Sequence, residues 1–209
     1  MLALAACGGS ELRVADPRLV EAAGRGDDDR VRELLESGVD VDSRNAAGRT
    51  AVTAAAYGGH ADVVRRLVRA GANVDLQDET RANALLATGE TGDVDVLREV
   101  LRADPDLTRT NRFGGTALIP AADRGHVGVV RELLETEIDV DHVNDLGWTA
   151  LLEAVILGDG GPAHREIVRL LVAAGADVRL ADREGVTPLE HARRAGHSEI
   201  AAILAAADT

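Results

Sequence analysis

Asn111-Arg112-Phe113-Gly114-Gly115-Thr116-Ala117-Leu118 opens the stretch that decides the fold, because its landmarks return at a fixed interval. Gly114-Gly115-Thr116-Ala117 has counterparts in Gly48-Arg49-Thr50-Ala51, Gly147-Trp148-Thr149-Ala150 and Gly185-Val186-Thr187-Pro188. Thr50 and Thr116 stand two periods of 33 apart, with a degenerate copy, Arg81-Ala82-Asn83-Ala84, in register between them. Thr149 follows Thr116 by 33 and Thr187 follows Thr149 by 38, so the fifth copy carries about five extra residues. Gly59-His60, Gly125-His126 and Gly196-His197 keep the same phase, with Gly26-Asp27 and Gly92-Asp93 in that place elsewhere. Ser37-Gly38-Val39-Asp40-Val41, Ala70-Gly71-Ala72-Asn73-Val74 and Ala174-Gly175-Ala176-Asp177-Val178 close their copies. Three landmarks recurring in phase mark a chain of stacked units.

Each unit reads as turn, helix, tight turn, helix, loop. The Thr is predicted to cap the first helix, its hydroxyl accepting from an orphan amide of the first turn. Pro188 sits at the first helical position, where its missing N–H does no harm, and Thr187 with Glu190 fits a capping box. The Gly of Gly-His ends that helix and turns the chain back. The second helix is amphipathic, as in Val63, Val64, Leu67 and Val68, or Ile167, Val168, Leu170 and Leu171. Gly38, Gly71 and Gly175 are predicted to end it in the left-handed conformation. Helices of no more than about ten residues do not persist alone and must lean on the next copy.

These units resemble the ankyrin repeat, whose pattern is Asp-x-x-Gly-x-Thr-Pro-Leu-His, then Ala-Ala, Gly-His, a Val/Leu-rich helix and Gly-Ala-Asp-Val. The resemblance covers about residues 16–209, divided near 16–44, 45–77, 78–110, 111–143, 144–181 and 182–209. It implies an all-α solenoid of five to six helix-turn-helix units with β-turn fingers. Several copies depart from the pattern. Thr53, Leu86, Ile119, Leu152 and Glu190 replace the first-helix His, Asp104-Pro105 replaces Gly-Ala, and Glu137 replaces the closing Gly of unit four. Unit three departs most and is expected to be the weakest. Unit one begins directly at Asp16-Pro17, and unit six ends in an Ala-rich run, as caps do.

Composition bounds the function. The chain of 209 residues has one Phe, one Tyr and one Trp, so its core must be built from Ala, Val, Leu and Ile. Its formal charge is −13 and argues against nucleic acid as a partner. No apolar run reaches the roughly 18–20 residues of a membrane-spanning helix. Cys7 is the single cysteine, so no disulfide forms within the chain. Leu4-Ala5-Ala6-Cys7 resembles a bacterial lipobox followed by a Gly8-Gly9-Ser10 tether. That resemblance implies lipid on Cys7 and an extracytoplasmic, membrane-anchored lipoprotein. Only six residues precede Cys7 and none is basic, which leaves open a start upstream of Met1 and a cytoplasmic protein without an anchor.

The residues show no assembled chemistry. His60, His126 and His197 occupy a structural landmark and are expected to bond the turn of their own or the adjacent unit. His142, His164 and His191 fall at other phases and form no zinc-ligand spacing. Asp27-Asp28-Asp29 reads as capping charge at a helix start, with a weak ion site as the lesser reading. No cofactor, metal site or catalytic residue is assigned, and a hydrolase using His and Asp remains a remote alternative. The resemblance implies that fingertips and first helices line a concave groove for an unknown protein partner, the chain itself being a monomer. By position, the groove residues are Arg49, Tyr57, Arg112, Phe113, Asp123, Arg124, Asp145, Trp148, Glu153, Ile156, Arg183 and Arg194. The run Leu157-Gly158-Asp159-Gly160-Gly161-Pro162-Ala163-His164 is expected to form an exposed loop, either a tolerated insertion or a recognition lobe.

Overall fold

The structure, a computed structural model, describes residues 16–208; Cys7 lies outside them. Twelve helices follow in chain order: α1 Pro17–Gly24, α2 Asp28–Glu36, α3 Ala51–Tyr57, α4 Ala61–Arg69, α5 Ala84–Thr91, α6 Val94–Leu101, α7 Leu118–Asp123, α8 Val127–Leu134, α9 Ala150–Ile156, α10 Pro162–Ala173, α11 Pro188–Arg194 and α12 Ser198–Ala207. They form six successive pairs. Each first helix packs on the next first helix, and each second helix on the next second helix. The described residues contain no strand; the fingers between pairs are turns, one of them closed by a β-bridge from Arg44 to Thr50.

Ala-rich first helices approach closely, with Ala51, Ala55, Ala56, Ala84, Ala87, Ala121 and Ala122 buried. The second helices bury one apolar stripe each: Val63, Val64 and Leu67; Val96, Leu97 and Val100; Val129, Val130 and Leu133; Ile167, Val168 and Leu171. Each such Leu or Ile contributes about 1.5–3 kcal/mol against exposure. Side-chain caps start most helices. Asp16, Asp27, Thr50, Asn83, Asp93, Thr149 and Thr187 accept from the first-turn amides of α1, α2, α3, α5, α6, α9 and α11. The Thr187–Glu190 capping box is present. In unit three, Asn83 thus caps α5 as Thr50 and Thr149 cap α3 and α9, and Asp93 caps α6 with its side chain, which His60 and His126 do not do for α4 and α8.

Three expectations need correction. Thr116 does not cap α7. Pro120 stands where the other units carry a residue whose N–H bonds the cap carbonyl, as Ala54 does to Thr50 and Glu153 to Thr149. Lacking that donor, the Thr116 carbonyl takes the Ile119 N–H instead, and the Thr116 hydroxyl, 2% exposed, is left without a partner. Helix α10 has 12 residues, not ten, because Pro162, Ala163 and His164 join it. The expected exposed loop therefore shrinks to five residues, and His164 folds inward to 9% exposure. Glu137 also escapes the left-handed state. Gly38, Gly71 and Gly175 have φ of 85°, 88° and 93°, and Asp104 follows them at 51°, whereas Glu137 takes another loop shape; the Thr136 hydroxyl there donates to the Leu133 carbonyl at 2.5 Å, as Ser37 does to Leu34 in unit one. A second left-handed residue, Arg81 at φ 61°, replaces the finger glycine of unit three.

On the face formed by the second helices, one Arg–carboxylate pair crosses each unit boundary: Asp28–Arg66, Arg65–Glu99, Arg98–Glu132, Arg131–Glu166 and Arg165–Glu199.

Candidate functional site

The fingers are built by their first residue. Asn45, Asp78, Asn111, Asn144 and Asp182 each accept two backbone N–H groups on Oδ1, two and four residues on. This holds each fingertip in one shape and fixes where its outward side chains stand. Neighbouring fingers are tied by backbone bonds, Glu79 N–H to Ala47 O at 3.1 Å and Asp145 N–H to Phe113 O at 2.9 Å.

Histidines tie the other side of the first helices. His60 and His126 lie against Gly26 and Gly92 of the preceding unit, with Nε2 at 3.2 Å from Gly24 O and 3.3 Å from Glu90 O. His164 does the same for unit five: Nε2 is 2.8 Å from Asp123 O and Nδ1 is 2.9 Å from Asp159 Oδ1. The insertion shifts this residue out of phase, which hides its equivalence in the sequence. His191 is held within unit six by Asp182 at 2.6 Å.

Between the fingers and α5, α7 and α9 lies a cavity of about 220 Å³, lined by Glu90, Asn111, Phe113, Gly115, Ile119, Pro120, Asp123, Arg124, Asn144, Leu146 and Glu153. A neighbouring hollow of about 210 Å³ extends it toward Tyr57 and Arg112, sharing Glu90, Asn111, Phe113 and Arg124. Phe113 and Leu146 are 54% and 51% exposed, while Glu153 is 7% exposed and buried at the floor. Asn144 Nδ2 donates to Glu153 Oε1 at 2.7 Å. Burial, then the negative charge of Asp123, pushes the Glu153 carboxyl up to about 7 against that one hydrogen bond. Tyr57 donates to Glu90 Oε2 at 3.3 Å, and burial followed by Glu90's charge pushes its hydroxyl up to about 12. A larger cleft among Asp28, Asp62, Arg65, Arg66 and Arg69 lies on the second-helix face. It lacks large apolar walls, and Arg65 and Arg66 are already paired with Asp62 and Asp28.

The structure brings Tyr57, Arg112, Phe113, Asp123, Arg124 and Glu153 to this trough. It does not bring the rest. Arg49 is committed internally, its guanidinium 4.7 Å over the Tyr57 ring and 3.0 Å from Asp78 Oδ2. Arg183 spends its Nη2 on the Asp145 carbonyl at 2.6 Å. Asp145, Trp148, Ile156 and Arg194 line neither hollow. Trp148 is half-buried, and Leu146 rather than Trp148 shares the cavity with Phe113. Glu90, like Leu146, lines the cavity but is missing from the groove set read by position. The 33-residue period places it in one row with Tyr57 and Asp123, but unit three lacks the landmarks that draw attention to it.

Among the described residues, no group of three or more His, Cys, Asp or Glu is disposed to hold a metal ion. None of the described helices is long and apolar enough to cross a membrane.

A family model for ankyrin repeats in three copies matches residues 19–108 and 84–182. The chain belongs to the ankyrin-repeat family. It is 43% identical to an ankyrin repeat domain, ABAYE2397, from Acinetobacter baumannii AYE, with a TM-score of 0.88 over 92% of this chain and 98% of that one. The ankyrin repeat protein EF0377 is 38% identical, with a TM-score of 0.86 over 90% and 96% of the two chains. A chain from the complex of the predatory endopeptidase Bd0816 of Bdellovibrio bacteriovorus with the immunity protein Bd3460 is 25% identical, with a TM-score of 0.73 over 92% and 98%. The ankyrin repeat protein YahD of Escherichia coli (strain K12) is 49% identical over 53 residues, which span 25% of this chain and about a quarter of that protein, 26%. Ankyrin repeats in general mediate protein–protein interaction.

Proposed function

We propose that this chain holds a partner protein on its concave face, centred on the trough between units three and five, and performs no chemistry on it. The observation that carries the reading is the pair Phe113 and Leu146, exposed on adjacent rigid fingers at the mouth of one cavity. Exposed apolar groups over a shaped hollow are what a partner's anchor residue fills. The finger hydrogen bonds hold them in place before binding, so little order has to be created on association. The similarity to a chain from an endopeptidase–immunity protein complex supports a role as one half of such a pair, with regulation of an enzyme as its finer form.

At one of the two His–Asp pairs among the described residues the hydrolase alternative meets a geometric obstacle. The His–Asp pair at His164 and Asp159 has both imidazole nitrogens engaged, one by Asp159 and the other by the Asp123 carbonyl. That ring has no free nitrogen with which to take a proton from a nucleophile.

The sequence around Cys7 supports attachment of the module to the outer face of a membrane by lipid, with a cytosolic adaptor as the alternative. Mass spectrometry of the native N-terminus tests this: a diacylated Cys7 is expected, and an unmodified chain recovered from the cytosol overturns it. For the groove, a partner cross-linked in its native setting and then purified is titrated with the chain carrying Phe113→Ala and Leu146→Ala together. We expect a loss of about 2 kcal/mol or more in affinity with the thermal midpoint unchanged. Unchanged affinity overturns the groove assignment.

A further inference from the structure

The floor of the trough carries unbalanced negative charge. Glu90, Asp123 and Glu153 line the cavity against one guanidinium there, Arg124, with Arg112 in the neighbouring hollow. Among the described residues, neither Asp123 nor Glu153 forms an ion pair, and Glu153 Oε2 accepts no hydrogen bond although the side chain is 7% exposed. Glu153 Oε2 stays open to the cavity, where a donor seated by a partner can reach it. The carboxylates are too dispersed to gather round a metal ion, as the lack of any metal-holding cluster among the described residues shows. A cation whose donors fan out fits that dispersion. The cavity's 220 Å³ equals roughly seven waters' share of liquid, room for one long side chain and not for a folded element. Above the floor, Phe113 offers an aromatic face and Leu146 an apolar wall. Arg112, 4.8 Å over the Phe113 ring, shows that this ring accepts a guanidinium.

Resting on the groove reading above, we propose that this cavity receives one arginine side chain of the partner protein, its guanidinium meeting Asp123 and Glu153 and its methylene stem lying against Phe113 and Leu146. Arginine rather than lysine fits because its planar fork serves two separated carboxylates and stacks on an aromatic ring. Seating the cation draws the proton from Glu153, so binding near neutral pH releases protons to the buffer.

The test uses the full chain and three blocked tripeptides, acetyl-Gly-Arg-Gly-amide, acetyl-Gly-Lys-Gly-amide and acetyl-Gly-Gln-Gly-amide, followed by amide NMR. The arginine peptide is expected to shift the amides of Phe113, Leu146 and Glu153 saturably, and the glutamine peptide to leave them in place. Asp123→Asn, whose melting curve serves as the folding control, is expected to weaken the arginine peptide about tenfold. Calorimetry in two buffers of different ionisation enthalpy is expected to show proton release that Glu153→Gln abolishes. Equal shifts with the glutamine peptide, an unchanged affinity in Asp123→Asn, or lysine binding as tightly as arginine overturns the proposal. If the arginine peptide fails while the Phe113→Ala and Leu146→Ala chain still loses its partner, the arginine pocket falls and the groove stands. If both fail, both readings fall.

Discussion

The Thr50 hydroxyl accepts the Thr53 N–H, whereas the Thr116 hydroxyl is buried and accepts nothing. Equivalent threonines thus predict opposite responses to the same isosteric change. Thr50→Val should lower stability by about 1 kcal/mol through loss of a cap. Thr116→Val should raise it by up to about 1 kcal/mol, because an unsatisfied buried hydroxyl is removed. Urea unfolding of the two variants checks both signs. Glu153 gives a pH-dependent case. Its folded carboxyl titrates at about 7 against an ordinary 4.5, so the folded state binds more protons than the unfolded one between those values. Wild-type stability therefore falls as pH rises through that window. Glu153→Gln keeps an acceptor for Asn144 and removes the titration. Its advantage over wild type should be absent near pH 4 and reach about 1–3 kcal/mol by about pH 8, read from melting curves at the two ends. The raised pKa was not legible in the sequence, since it depends first on burial of the carboxyl and then on Asp123, 30 residues away, lining the same cavity.

At the scale of the element, the second helices are joined by the ladder of Arg–carboxylate pairs. Most rungs are exposed and contribute little individually. Glu99 differs, being buried and held by both Arg65 at 2.9 Å and Arg102 at 2.6 Å. Burial raises its pKa, but those hydrogen bonds outweigh it and hold the carboxyl below its ordinary 4.5. The stability this contributes is present above that value and is lost as pH falls through the lower folded value. Glu99→Gln should cost about 1–2 kcal/mol at neutral pH, more than the same change at the more exposed Glu132, in guanidinium-free urea titrations at low salt. The helices themselves were legible, because capping residues and apolar spacing are local. The starts of α7 and α10 were not. One depends on Pro120 withholding a donor from Thr116, and the other on His164 being drawn to a carbonyl of the preceding unit.

Across the whole molecule, stability is passed between neighbours, since each pair packs chiefly on the pairs beside it. Unit three holds two non-glycine residues in the left-handed region, Arg81 and Asp104, and a buried Asn83 Nδ2 without a partner. Among the internal units it should open first, which hydrogen exchange would register as the least protected α5 and α6; stronger protection there than in units two, four and five contradicts it. Asp104→Gly should recover about 0.5–1 kcal/mol, the relief of left-handed strain less the entropy glycine adds to the unfolded chain, measured by thermal melts. The sequence by itself determined the period, the helix pairs and the rows of residues that face the fingers, because a stack of like units repeats its environment every 33 residues. Only the tertiary structure decided which members of those rows meet. Arg49 was turned inward by Asp78 and Tyr57, Leu146 rather than Trp148 came beside Phe113, and Glu153 was buried next to Asp123. Side-chain partnership across units depends on distances and competing hydrogen bonds in space, and a period along the chain carries neither.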